Sequence, residues 1–149
     1  MPAVELREIV YENFEQVIAI GVAEGQNIFV SPVVFALAEA YVYRPQLWAL
    51  AAYDGDEPVG FTMYGHQLSR DRWKVQSLIV DERYQGRGYG RAIMQAVIAL
   101  MVERHSCTEI FTGYIEGNEV ARGLYENLGF RATGEVQDNE IYMSLTIAD

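Results

Sequence analysis

Three glycines at alternate positions, Gly86, Gly88 and Gly90, stand between a β-rich run ending at Val80 and a long apolar-periodic segment, with Arg87 and Arg91 interleaved among them. A glycine-rich turn that opens a helix turns backbone N–H groups and the positive end of the helix dipole toward one spot, which suits an anion. Two guanidinium forks beside it suit a pyrophosphate. The spacing departs from a dinucleotide fingerprint, because Arg91 stands where the third glycine is needed, and no Gly-Lys-Ser/Thr loop occurs.

Carboxylates and aromatics supply a second set of chemical candidates. Glu39 is the one charge inside an otherwise apolar helical stretch, and Glu24 lies in the Gly-containing segment before it. A carboxylate buried alone is costly, so Glu39 needs solvent, a partner or a cationic ligand. Phe35, Tyr41, Tyr43 and Tyr64 offer ring faces for cation–π contact, or simple core filling. Tyr125 shares a helical stripe with Ala121, Leu124 and Leu128, and Asn118 stands where a helix N-cap belongs. Cys107, His66 and His105 are too few soft ligands for a structural zinc site, so no metal is expected.

The elements that must position these groups follow from periodicity. Val4 to Ile9 alternates as a strand with one wet face. Phe14 to Ile20 has helical spacing, and Ser31-Pro32 reads as an N-cap followed by proline at the first position of a helix running to about Tyr43. Leu47–Tyr53 and Pro58–Gln67 are β-rich runs joined through Asp54-Gly55, and Arg72–Val80 follows as a third. The glycine turn opens a helix to about Arg104, with Ile93, Val97, Leu100 and Met101 on one face. Glu109–Tyr114 is a strand, Asn118–Leu128 a helix closed by Gly129, and Phe130–Thr133 and Ile141–Thr146 are closing strands. The order β α α β β β α β α β β describes an α/β (α+β) fold. Its sheet is twisted, mixed and mostly antiparallel, with about seven strands and about four helices on both faces. No repeat, linker or low-complexity tract divides residues 1–149, so a single domain is expected.

Charge narrows the partners. The 149 residues carry 11 Lys+Arg against 21 Asp+Glu, a net charge of −10. Such a surface repels a phosphate backbone, so nucleic acid is not an expected partner, and it attracts small cations. The nearly apolar stretch Ala92–Val102 is too short to span a bilayer, and Met-Pro-Ala-Val-Glu has no leader pattern, so no membrane association and a cytoplasmic location are expected. The apolar helix after Pro32 could instead serve as the surface of a homodimer.

Both glycine loop and Asn118 helix resemble one family, the Gcn5-related N-acetyltransferases (GNAT). Gln85-Gly86-Arg87-Gly88-Tyr89-Gly90 follows that family's loop pattern Gln/Arg-x-x-Gly-x-Gly/Ala, behind an apolar strand Leu78-Ile79-Val80. Asn118-x-x-Ala121-x-x-Leu124-Tyr125-x-x-Leu128-Gly129-Phe130 is similar to its second signature. Asp81 departs from the proline frequent near that position. Within the family, Val22–Asn27 through Ala40-Tyr41, Gly60–Gly65 and Asp81–Gly86 resemble the bacterial spermine/spermidine (diamine) acetyltransferases, with Ser77 standing near a position where they often carry arginine.

The resemblance implies acetyl-CoA as cosubstrate, without metal, and direct attack by a primary amine of a small polycation. It implies that Ile79 and Val80 pair with the pantetheine arm, and that Gln85, Gly86, Arg87, Gly88, Tyr89, Gly90 and Arg91 hold the pyrophosphate. Asn118 would bond the pantetheine, and Tyr125 would protonate the leaving thiolate. Glu24, Glu39 and Tyr64 are the expected acceptor-side residues. Another amine acceptor (an antibiotic, an amino acid or a protein N-terminus) and a non-catalytic CoA-binding module are the alternatives.

Overall fold

A computed structural model describes residues 2–22 and 31–148, so Glu24 lies outside the described residues. The elements are β1 (Glu5–Glu8), α1 (Phe14–Ile18), α2 (Val33–Val42), β2 (Leu47–Asp54), β3 (Glu57–Gln67), β4 (Arg72–Val80), α3 (Tyr89–His105), β5 (Glu109–Ile115), α4 (Glu119–Asn127), β6 (Arg131–Gln137) and β7 (Glu140–Thr146). Their order is the expected one. One seven-stranded sheet runs β1-β2-β3-β4-β5-β7-β6, antiparallel throughout except where β4 meets β5.

Alternation in the strands loads both faces of this sheet. Ala51 and Tyr53 of β2 pack with Val17 of α1 and Val33 and Ala36 of α2. Their neighbours Leu50 and Ala52 turn the other way, toward the α3 stripe of Ile93, Met94, Val97 and Met101. A β-bulge changes the parity of β4: Met63 opposes Ser77 while Tyr64 opposes Val75, leaving Gln76 unmatched. As a result Val75 joins the α3 cluster, whereas Ile79, four residues on, joins the α1/α2 cluster. Without the extra residue the two side chains would share a face.

Several local expectations are corrected. Helix α1 ends at Ile18 rather than Ile20. Pro32 itself occupies the N-cap of α2, with ψ 156° and no side-chain cap bond, so Ser31 lies outside the helix start. Strand β6 begins at Arg131 and extends to Gln137, carried past Thr133 by a register shift that includes Gly134 at φ 86°. The hairpin at Asp54-Gly55, the C′ role of Gly129 at φ 101° and the extent of β4 all stand as read.

Candidate active site

Strands β4 and β5 pair only at Trp73–Ile110 and Lys74–Phe111. Beyond those two rungs and the Gln76 bulge the strands part, and the wedge opens into a cavity of about 1080 Å³. Val75, Gln76, Ser77, Leu78 and Val80 form one wall, and Thr112, Gly113, Tyr114 and Ile115 the other. The wedge passes through the sheet: α3 and α4 border it on one side, α2 and the ends of β2 and β3 on the other.

On the first side the glycine turn delivers the chain from β4 into α3. Gly86 and Gly88 have φ 77° and 87°, a left-handed backbone that residues with a Cβ rarely adopt. Gly88 is the N-cap of α3 and has no side chain with which to cap it, and its carbonyl accepts the first helical bond, from Ala92 N–H. The amides of the first turn therefore have no intrahelical acceptor. Gln85, Gly88, Gly90 and Arg91 line the cavity. Arg87 is exposed, with its guanidinium 5.8 Å from the Tyr84 ring centroid. The Tyr89 hydroxyl instead bonds Asp54 at the end of β2, and Tyr89 does not line the cavity. Ile79 is likewise buried among α1/α2 side chains, while Val80 reaches the cavity wall.

Asp81 explains how the turn is held. Its carboxylate accepts from Arg83 N–H at 3.0 Å and Arg83 Nε at 2.9 Å, and Glu82 N–H donates to the Gly21 carbonyl at 2.8 Å. Burial works to raise this carboxyl. The hydrogen bonds and charge of Arg83, with the Gly21 N–H, override burial and hold it below the usual carboxylate range. The residue that departs from the family's frequent proline thus ties the loop to the chain entering Val22, a cavity-lining residue.

Helix α4 completes this side. Asn118 is its N-cap, its Oδ1 accepting from Ala121 N–H at 3.2 Å, and it also borders the cavity. Tyr125 is 5% exposed, rests against the Phe130 ring and still touches the cavity. Burial pushes its phenol up to about 12, a hydrogen bond with Thr112 opposing this and the charge of Glu140 adding to it. At neutral pH it is a protonated donor facing the wedge.

The α2 side presents Glu39, Tyr43, Gln46, Met63, His66 and Gln67. Among the described residues no donor bonds the half-buried Glu39 carboxylate. Burial raises its pKa, and the charge of Lys74 draws it part of the way back. His66 is engaged with Asp71 at 3.0 Å.

Tyr64 is a correction. Its ring is fully buried, stacked on Trp48 at 5.2 Å with its hydroxyl 3.0 Å from His105 Nε2, and it does not reach the cavity. It sits on the α3 face of β3, on the opposite side of the sheet from α2. Phe35 and Tyr41 face solvent at 55% and 65% exposure, leaving Tyr43 as the aromatic of that set at the cavity rim. Glu140 was not among the residues expected here. It lines the cavity from the first position of β7, one residue before the strand read from the sequence and outside both motifs, so nothing local signalled that role. No group of three or more His, Cys, Asp or Glu side chains able to hold a metal occurs among the described residues, and no helix among them is long and apolar enough to cross a membrane.

Comparison with known proteins gives this geometry a context. The model of the acetyltransferase (GNAT) family matches residues 14–130. A spermine/spermidine N(1)-acetyltransferase of Bacillus subtilis is 27% identical over 146 residues, covering 92% of this chain and 93% of the relative. Among solved structures, spermidine N-acetyltransferase from Vibrio cholerae, in complex with CoA and spermine, superposes with a TM-score of 0.78 at 13% identity, covering 96% of this chain and 95% of that one. An aminoglycoside acetyltransferase in complex with coenzyme A does so with a TM-score of 0.76 at 21% identity, covering 97% and 95%.

Proposed function

Because the chain belongs to the acetyltransferase (GNAT) family, we propose that it transfers acetyl from acetyl-CoA to a primary amine of a small polycation such as spermidine, by direct attack in a ternary complex. The observation that carries this is the wedge between β4 and β5. It has an anion-suited glycine turn and a protonated Tyr125 on one side and, on the other, a half-buried Glu39 that accepts no hydrogen bond from the described residues. The likeness to a spermine/spermidine acetyltransferase over nearly the whole chain supports the acceptor class.

The α3 amides and Arg91, with Arg87 beside them, hold the pyrophosphate of acetyl-CoA. The β4 wall up to Val80 lies along the pantetheine, and a backbone N–H there polarises the thioester carbonyl. Asn118 contributes to the same arm. A protonated alkylamine at neutral pH lies roughly 3.4 units below its pKa, so freeing its lone pair costs about 4.6 kcal/mol. Glu39 draws the ammonium in and accepts that proton, directly or through water. The amine nitrogen then bonds the carbonyl carbon, the C–S bond breaks, the thiolate takes a proton from Tyr125, and the nitrogen's second proton passes to water, leaving a neutral amide. Glu39 ends protonated and Tyr125 ionised, and exchange with solvent restores both. The reaction is expected to be cytoplasmic.

Incubation with acetyl-CoA and a panel of spermidine, spermine, a diamine, an aminoglycoside and a lysine peptide, read by CoA release and product mass, tests the reading. Monoacetylated polyamine is expected. Release with the aminoglycoside or peptide alone would overturn the acceptor class while leaving the chemistry. Acetyl-CoA binding with no turnover on any amine would overturn both and leave a binding module.

A further inference from the structure

Lys74, the chain's only lysine, lies at the vertex of the wedge, on the last rung joining β4 to β5, and is 3% exposed. Its Nζ is 2.8 Å from Glu140 Oε2 and 4.5 Å from the Tyr142 ring centroid. Glu140 starts β7 and reaches this point by passing over β5 at Gly113. A Cβ on Gly113 would stand 2.7 Å from both Cγ and Cδ of Glu140. The glycine is therefore the gap through which the carboxylate crosses. Burying an ion pair contributes little net stability, because desolvation offsets most of the attraction, so a buried pair beside a reactive cleft calls for another reason.

The surroundings supply one. Thr112, next to Gly113, donates to the Val75 carbonyl at 3.3 Å and is the hydrogen-bond partner of Tyr125. Val75 follows Lys74 directly. Glu140, Tyr125 and Glu39 all line the one cavity. We propose that the Lys74–Glu140 pair is a positioning pair that poises the two sides of the wedge, Tyr125 on α4 and Glu39 on α2, for proton transfers in opposite directions. The carboxylate favours the proton on Tyr125, and the ammonium favours the open carboxylate of Glu39. Their charges act in those directions. The other charged groups around the pair leave a positive excess: Arg70 and Arg72 share the one carboxylate of Glu135, Arg72 lies over the Phe111 and Tyr142 rings, and both guanidiniums repel the Lys74 ammonium, a background common to the wild type and both variants below.

This rests on the proposed acetyl transfer, and its test separates the two. Lys74→Met leaves Glu140 unbalanced, so protons are held more tightly by both groups. Glu140→Gln leaves Lys74 unbalanced and loosens them. With a unit charge at cleft distances worth about one pH unit, both limbs of the pH–kcat/KM profile are expected to move up in K74M and down in E140Q. Glu39, followed by carboxyl carbon NMR in the unliganded protein, should titrate in the same opposite senses, whatever substrate is used. Shifts in one common direction, or Glu39 titrating as in the wild type, would overturn the pairing role even if turnover falls. If K74M does not fold, the partly exposed and isosteric E140Q decides alone. Turnover absent in the wild type, with opposite Glu39 shifts intact, would sink the reaction and keep the pair.

Discussion

On the α3/α4 side of the wedge, main chain enters the cavity surface at Gly88 and Gly90, at the open first turn of α3 and along the diverging edge of β4, beside the side chains of Arg91, Asn118 and Tyr125. On the α2 side the surface is side chain, with Glu39 from α2, Tyr43 after it, His66 from β3 and Glu140 from β7. Backbone cradles require a local motif of glycines and a helix start, and such motifs are contiguous in the chain. A side-chain pocket is assembled from distant elements and retuned by single substitutions, which is how one fold accepts many substrates. The contrast separates a cradle set by a local motif from a pocket that single substitutions can retune.

Tyr125→Phe bears hardest on the main-chain side: removal of the acid is expected to lower kcat by about 10²–10⁴ while acetyl-CoA affinity stays within about twofold. Steady-state kinetics with calorimetry would check it, and undiminished kcat would take Tyr125 out of the acid role. The same phenol predicts alkaline behaviour. Its proton is retained to about 12 in the folded chain and released near its ordinary value of 10 in the unfolded one. Between those values the folded state binds more protons, so stability falls as pH rises through the window, by about 3 kcal/mol at most. Denaturant melts of Y125F should lack that decline.

Glu39→Gln strikes the other side. Loss of a charge-assisted contact is expected to cut kcat/KM for spermidine by about 10- to 100-fold with little change in acetyl-CoA affinity. The wild-type rate should fall as pH drops through the raised Glu39 value, because the protonated carboxyl can no longer accept; the variant should lose that limb. Equal losses in both substrates' affinities would blur the division between the two sides.

Gly88→Val sharpens the division from the backbone end. Forcing a β-branched residue to φ 87°, with its Cβ 3.3 Å from Pro2, costs at least 1–2 kcal/mol, so acetyl-CoA should bind about tenfold more weakly in calorimetry while the preference among amines is kept. The smallest effect belongs to Tyr64→Phe. Loss of the bond to His105 should lower thermal stability by about 1 kcal/mol and leave the amine KM unchanged; a raised KM would return Tyr64 to the acceptor wall.

Asp81 and Tyr64 show where reading along the chain succeeds and where it stops. Gly86, Gly88, Asn118 and the Gly129 stop could be placed from sequence because each answers a local need: positive φ, a helix cap, a C′ position. Asp81 stood out only as a departure, and its bond to Arg83 and contact with Gly21, sixty residues upstream, appear only in the folded chain. Tyr64 failed because strand alternation assigns alternate faces without saying which face holds which helix. Its neighbour Met63 borders the cavity and Tyr64 does not.

By itself, then, the amino-acid order determined the succession of strands and helices, the anion-suited turn and the apolar stripes. These depend on backbone dihedrals and on burial periods of 2 and 3.6 residues, all set within a few positions of one another. Tertiary structure alone decided that β4 and β5 part after Lys74 and that an unmatched Gln76 reverses the facing of Val75 and Ile79. It also decided that Glu140 crosses over Gly113 to the vertex. Those features depend on register and on the packing of elements far apart in the chain, where each contact exists only once the others have formed.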